Sequence, residues 1–249
     1  MGIKFIEDRK ILHLYTKEFS YYIHINKYNY LIHLYFGGYL DDISKERCSE
    51  RYMERYAMYD GEKEVCDEDY YFSSIASMME AASFGKADKR GSFAIVEGDD
   101  GIDLTNFLYV KHEITSGISE DFNLPCPRFT KSETETLIIT LKDETRDVYL
   151  YLYYVLSDKY NTLLRYSKIE NRCKTPIKIK KLSAMELDIP SSDYEILALN
   201  GTWGNDRQVE RIPLNHSLTE IGDNHGARGF YYNPACALVK MEQQMIQVK

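Results

Sequence analysis

The chain has 249 residues, 44% hydrophobic and 28% charged, with a formal net charge of −8, enough to bury a substantial core as one large domain or two small ones. The acidic balance, with no Lys/Arg cluster facing an aromatic row, lacks the electrostatic footprint of a nucleic-acid binder. No apolar run reaches the roughly 18–20 residues that cross a bilayer, and MGIKFIEDRK at the N-terminus has no apolar core of the secretory kind, so a cytoplasmic location without membrane contact is expected.

In chain order, the stretch from Asp41 to Ala82 is charged first and then small and apolar. It reads as a short helix or a long irregular excursion. Asp100-Gly101, between Phe93-Ala94-Ile95-Val96 and Leu104, tolerates the positive φ of a tight hairpin turn, so strands are expected to return there. From Thr136 onward, TLIITLKD, VYLYLYYVLSD, LLRYSKIEN and IKIKKLSAMELDI alternate β-branched or aromatic residues with polar ones, or form short apolar runs. That period is the pattern of an antiparallel sheet with one wet face. The 22 tyrosines agree, since a Tyr ring covers a sheet face while its hydroxyl reaches water or a carbonyl. No Pro/Gly/Ser-rich linker marks a domain boundary.

Most chemistries can be set aside on spacing. Cys48, Cys66, Cys126, Cys173 and Cys236 are odd in number and widely scattered, which suits reduced thiols. The six histidines show neither the i,i+4 spacing nor the cysteine company of a zinc site, and His13, His24, His33 and His112 are expected on wet sheet faces. Asp99 to Asp103 reads as a hairpin turn and not as a calcium loop. No phosphate-cradling loop or Gly-x-Ser-x-Gly elbow is present, and no metal or cofactor is expected. Trp203, the single tryptophan, sits in a Gly-Thr-Trp-Gly turn. There it can stack on a sugar face or plug the end of a sandwich.

Leu197 to Val239 reads LALNGTWGNDRQVERIPLNHSLTEIGDNHGARGFYYNPACALV. Its Gly-x-Trp-Gly step, Glu-Arg-x-Pro-Leu run, Gly-x-Arg-Gly turn and Asn-Pro before an apolar strand resemble the N-terminal β-sandwich domain of family 36 α-galactosidases. SYYIHINKYNYLIHLYF at 20–36, Phe84 to Arg90, Gly98 to Gly117 and the Tyr-rich 133–171 resemble the same domain in the same order, from about Phe19 to Val239. The resemblance implies a large all-β antiparallel supersandwich over 1–240, followed by a tail at 241–249, KMEQQMIQVK from Lys240, that departs from the family pattern.

In such enzymes catalysis lies on a following (β/α)8 barrel, where paired aspartates carry out retaining hydrolysis with carboxyl groups about 5–5.5 Å apart. No catalytic residue is therefore expected here. The resemblance further implies a homo-oligomer, and a domain that reaches the rim of a galactoside site, often a neighbour's. The candidate substrate-binding residues are Glu54, Arg55, Tyr194, Trp203, Arg207 and Arg211. Glu54 stands where an aspartate is expected, and Glu54-Arg55 also reads as a solvated charge pair. Gly229 to Asn233 replaces the family's Ser-Ser-His before Asn-Pro. The alternatives are a free-standing carbohydrate-binding sandwich and an inactive truncated remnant with an unpaired sheet edge.

Overall fold

The computed structural model describes residues 2–43, 65–66, 71–72, 77–85, 91–118, 129–189, 191, 193–215, 218–222 and 232–241. They are antiparallel strands joined by turns, with two short 3-10 segments at Glu7–Arg9 and Lys131–Glu133. No helix among them is long and apolar enough to cross a membrane. The chain divides into two compact units, Met1–Asp188 and Ile189–Lys249.

The first unit is a sandwich of two four-stranded sheets. One runs β1 (Gly2–Ile6), β2 (Ile11–Tyr15), β3 (Phe19–Ile25) and β4 (Leu31–Gly38) in that order. Short strands β5 (Val65–Cys66) and β6 (Tyr71–Phe72) pair with each other, and β7 (Ala94–Glu97) follows. The second sheet has the order β11 (Thr162–Asn171), β10 (Val148–Ser157), β9 (Glu135–Asp143), β8 (Phe107–Ser116). The period of two explains the core: Leu137, Ile139 and Leu141 of β9 and Leu150, Leu152 and Tyr154 of β10 share one face. They meet Leu12, Leu14, Tyr21 and Ile23 of the first sheet in one buried cluster.

The excursion after Asp41 is irregular where it is described. The β5–β6 pair and an isolated bridge from Met79 to Ile32 replace any helix among the described residues of that span. Phe84-Gly85 leads back toward the sandwich, with Gly85 at φ +83°.

Two expectations need correction. His13 and His33 are each only 3% exposed and do not stand on wet faces. His13 stacks on Tyr22 with ring centroids 3.9 Å apart and on Tyr15 at 4.6 Å. The segment after Gly38 covers that outer face, placing Ile43 against Ile11 and Tyr22; a sequence period cannot reveal such a cover. His33 faces the core beside Tyr21.

The Asp100-Gly101 turn forms as expected, with Gly101 at φ +75° and its N–H donating to Gly98 O. It does not, however, join two paired strands. Strand β7 pairs instead with β12 (Lys178–Leu182); on the returning segment Ile102 O accepts from the Gly98 N–H at 2.9 Å and from Arg146 at 3.1 Å, and Leu104 O accepts from Arg146 at 2.5 Å. Asp143, 1% exposed, anchors Arg146 at 3.1 Å and accepts from the Asn106 N–H at 2.9 Å.

The second unit is a three-stranded sheet, β14 (Asn205–Pro213), β13 (Tyr194–Thr202), β15 (Tyr232–Lys240), with β13 central. Ala198 and Glu195 are its buried residues among those described.

Candidate functional site

Strands β13 and β14 form a hairpin whose tip is Trp203-Gly204, between the paired residues Thr202 and Asn205. Gly204 takes φ +78° and a Cβ there would meet open space, so the turn requires glycine for its backbone conformation and not for room. One residue back, Gly201 faces both Asp206 and Arg207, because the register shifts between Asn200↔Gln208 and Thr202↔Asn205. Arg207 absorbs the extra residue at φ +55°. A bulge of this kind re-aims side chains and sharpens twist beside a hairpin tip.

The Trp203 side chain is 80% exposed, so it does not plug a sandwich end. The tight turn holds the indole out, and Arg207, also exposed, stands in the bulge just beyond the turn, so the hairpin tip carries an apolar ring and a guanidinium donor within five residues. That combination suits stacking on a sugar ring while donating to its hydroxyls.

The other sequence candidates are distributed differently. Arg211 is bound through Nη1 to the Glu195 carboxylate, which is itself 8% exposed. Tyr194 begins β13, where its carbonyl accepts from the Leu214 N–H at 3.2 Å. Eight residue steps separate it from Thr202, roughly 26 Å of strand, so Tyr194 and Trp203 occupy opposite ends of the hairpin. Asn200 donates to Glu210 at 2.5 Å on the hairpin's flank. Glu54 and Arg55 lie outside the described residues. The structure thus brings Trp203 and Arg207 to one tip and leaves Arg211 and Tyr194 toward the base.

A second polar cluster has no counterpart among the sequence candidates. Glu80, fully buried, receives hydrogen bonds from Tyr154 at 2.6 Å and Tyr21 at 2.9 Å and lies 2.6 Å from Arg165 Nη2. His33 Nδ1 is 3.3 Å from its other oxygen. Arg165 also donates to Tyr21 and to Glu186 O, and its guanidinium sits 4.7 Å from the Tyr154 ring centroid. Burial alone would raise the Glu80 carboxyl, but Arg165, the neighbouring His33 and the hydrogen bond from Tyr154 hold it below the ordinary range. With Glu80 at 0% and Arg165 at 5% side-chain exposure, this cluster joins β3, β4, β10 and β11 and is sealed from ligand. Its one sequence signal is a glutamate and an arginine inside apolar stretches, 85 positions apart.

The family model described as the glycosyl hydrolase family 36 N-terminal domain matches residues 29–245, from just before β4 through the whole β13–β15 sheet. The chain belongs to this family. The bifunctional α-galactosidase/sucrose kinase AgaSK of Mediterraneibacter gnavus is 28% identical over 242 residues, covering 96% of this chain and 25% of that protein. Among solved structures, the family 36 α-galactosidase AgaB of Geobacillus stearothermophilus superposes with TM-score 0.86 at 27% identity, over 97% of this chain and 32% of its own. A variant of AgaA from the same organism, in complex with raffinose, gives TM-score 0.83 at 28% identity, over 94% and 32%. The family 36 domain described here therefore spans a quarter to a third of the length of these relatives.

Proposed function

We propose that this chain is the non-catalytic N-terminal domain of an α-galactosidase acting on terminal α-galactosides of the melibiose and raffinose kind. In this reading it supports a catalytic barrel, takes part in oligomerisation and lends loop residues to the rim of the sugar site. The family match carries the assignment of the domain. The observation that carries its share in sugar binding is Trp203, 80% exposed on a glycine-dependent turn beside Arg207. Glu54 and Arg55 are proposed at the same rim by resemblance; Tyr194 and Arg211 are proposed as supports of the hairpin base.

The test is kinetic. In this domain joined to a family 36 barrel, Trp203→Ala is expected to raise KM for raffinose about tenfold with kcat nearly unchanged, as loss of one stacking contact of roughly 1.4 kcal/mol would do. An unchanged KM contradicts the role given to the hairpin tip.

A free-standing sugar-binding sandwich is the second reading, favoured by the same exposed indole. It differs in requiring saturable sugar binding by this chain alone.

A further inference from the structure

We propose that Asn200-Gly201 is a site of spontaneous modification, where Asn200 loses ammonia through a cyclic imide to become aspartate or isoaspartate, and that this conversion displaces the hairpin tip carrying Trp203.

Asn-Gly commonly fills the two central positions of a hairpin turn. In this chain the turn is made by Trp203-Gly204 instead, and Asn200-Gly201 lies inside β13. Of all the asparagines, Asn200 alone precedes glycine. That matters because the attacking group is the backbone nitrogen of the following residue, and glycine has no side chain to shield it or to restrict its rotation.

The ladder is interrupted at this point. Toward β14, Asn200 pairs with Gln208 and Thr202 with Asn205, and Gly201 has no register partner between them. Toward β15, a further irregularity lies between Ala198 and Asn200, and the described pairing stops at Asn200↔Tyr232. A regular central strand commits its backbone groups to its neighbours. Irregularities on both sides of β13 loosen that hold where the ring must close.

The reaction needs water and nothing else. The Gly201 nitrogen gives its proton to solvent and attacks Cγ of Asn200, closing a five-membered imide. The Cγ–Nδ2 bond breaks and Nδ2 leaves as ammonia, taking up a proton. Water then opens the ring. Addition at Cγ breaks the new bond and leaves aspartate; addition at the main-chain carbonyl breaks the original peptide bond and leaves isoaspartate, with the chain running through the side chain.

Both products disturb the hairpin. Asn200 Nδ2 donates to the Glu210 carboxylate at 2.5 Å, so conversion removes a donor and sets a second carboxylate against the first, which is destabilising. Isoaspartate also adds a methylene to the main chain of β13 between residues 200 and 201. The next pair, Thr202↔Asn205, closes the Trp203-Gly204 turn, so the added length is taken up at the tip.

The test is to incubate the whole folded chain at mildly alkaline pH and body temperature. Peptide mapping by mass spectrometry follows the gain that replacing NH2 by OH gives at each asparagine, and an isoaspartyl methyltransferase assay counts the isoaspartyl product. Asn200 should convert ahead of every other asparagine. Gly201 does not take a positive φ, so Gly201→Ala is compatible with its backbone and should slow the conversion several-fold. Trp203 emission should shift as conversion proceeds, and by more than in Asn200→Asp, which supplies the charge without the methylene. A folded chain whose Asn200 stays intact overturns the proposal; the same chain converting in urea would show that β13 protects the bond. A folded Gly201→Ala chain that converts as fast as the parent overturns attack by the Gly201 nitrogen, and emission unmoved by conversion overturns the displacement of the tip.

Discussion

Glu80 and Arg165 form an ion pair at 2.6 Å in the middle of the sandwich, with no exposed surface on the glutamate. Glu80 reaches the pair from the return of the excursion and Arg165 from β11, and the hydroxyls of Tyr21 and Tyr154 add donors from both sheets. Removing one member leaves the other charged and dry. Glu80→Leu or Arg165→Met alone should each cost about 3–5 kcal/mol, while the two together should cost distinctly less than the sum. Urea denaturation of the four chains measures this; additive losses would show that the two groups do not act as a pair.

Stability should fall on mild acidification. Burial, with Lys4 adding to it, depresses the His13 imidazole to about 4, against an unfolded value near 6.5. The unfolded chain then binds the extra proton first as pH drops, so this contribution is complete above about pH 6.5 and is lost as pH falls through about 4, amounting to roughly 3 kcal/mol. His24 and His112 are also depressed by burial and act with the same sign. Denaturant midpoints between pH 7 and 4.5 should decline more steeply in the parent than in a His13→Gln chain; parallel curves would exclude His13 as the source.

The hairpin tip should separate folding from recognition. Trp203→Ala removes a side chain that is 80% exposed and should shift stability by less than about 0.5 kcal/mol. Gly204→Ala forces a side chain onto φ +78° and should cost about 1 kcal/mol or more. Thermal melts of both variants check this ordering, and the reverse order would mean that the indole packs in solution.

Arg146 holds the segment before β8 by donating to two of its carbonyls while pairing with buried Asp143. Arg146→Ala should cost about 2–4 kcal/mol by stranding that carboxylate. It should also speed amide exchange between residues 98 and 106 ahead of the core strands. Lysine should rescue little, since one ammonium cannot reproduce the forked geometry. Exchange rates in that segment equal to the parent's would show that the carbonyls are held by something else.

The parts of the fold governed by local period were legible. Leu137, Ile139 and Leu141 alternate in the sequence and share the core face in the structure. What escaped the sequence depends on contacts far along the chain. A histidine at an alternate strand position reads as solvent-facing, and only the later segment ending in Ile43 shows that His13 is covered. Asp100-Gly101 announces a turn, but the strand that pairs with β7 arrives some 80 residues later. Of the candidate site, the turn chemistry around Trp203 was readable because Gly-x-Trp-Gly dictates it locally. That Tyr194 sits at the far end of the same hairpin follows from strand length, and a list of motif residues carries no such information.

In the proposed function this domain contributes to a sugar site that it does not complete alone. Because Trp203 is the single tryptophan, intrinsic fluorescence of the isolated chain reports directly from the hairpin tip. Titration with raffinose, with an α-galactosidase assay run alongside, is predicted to give no saturable change in emission and no hydrolysis. A saturable blue shift at submillimolar raffinose would contradict the claim and make this chain a sugar-binding module in its own right.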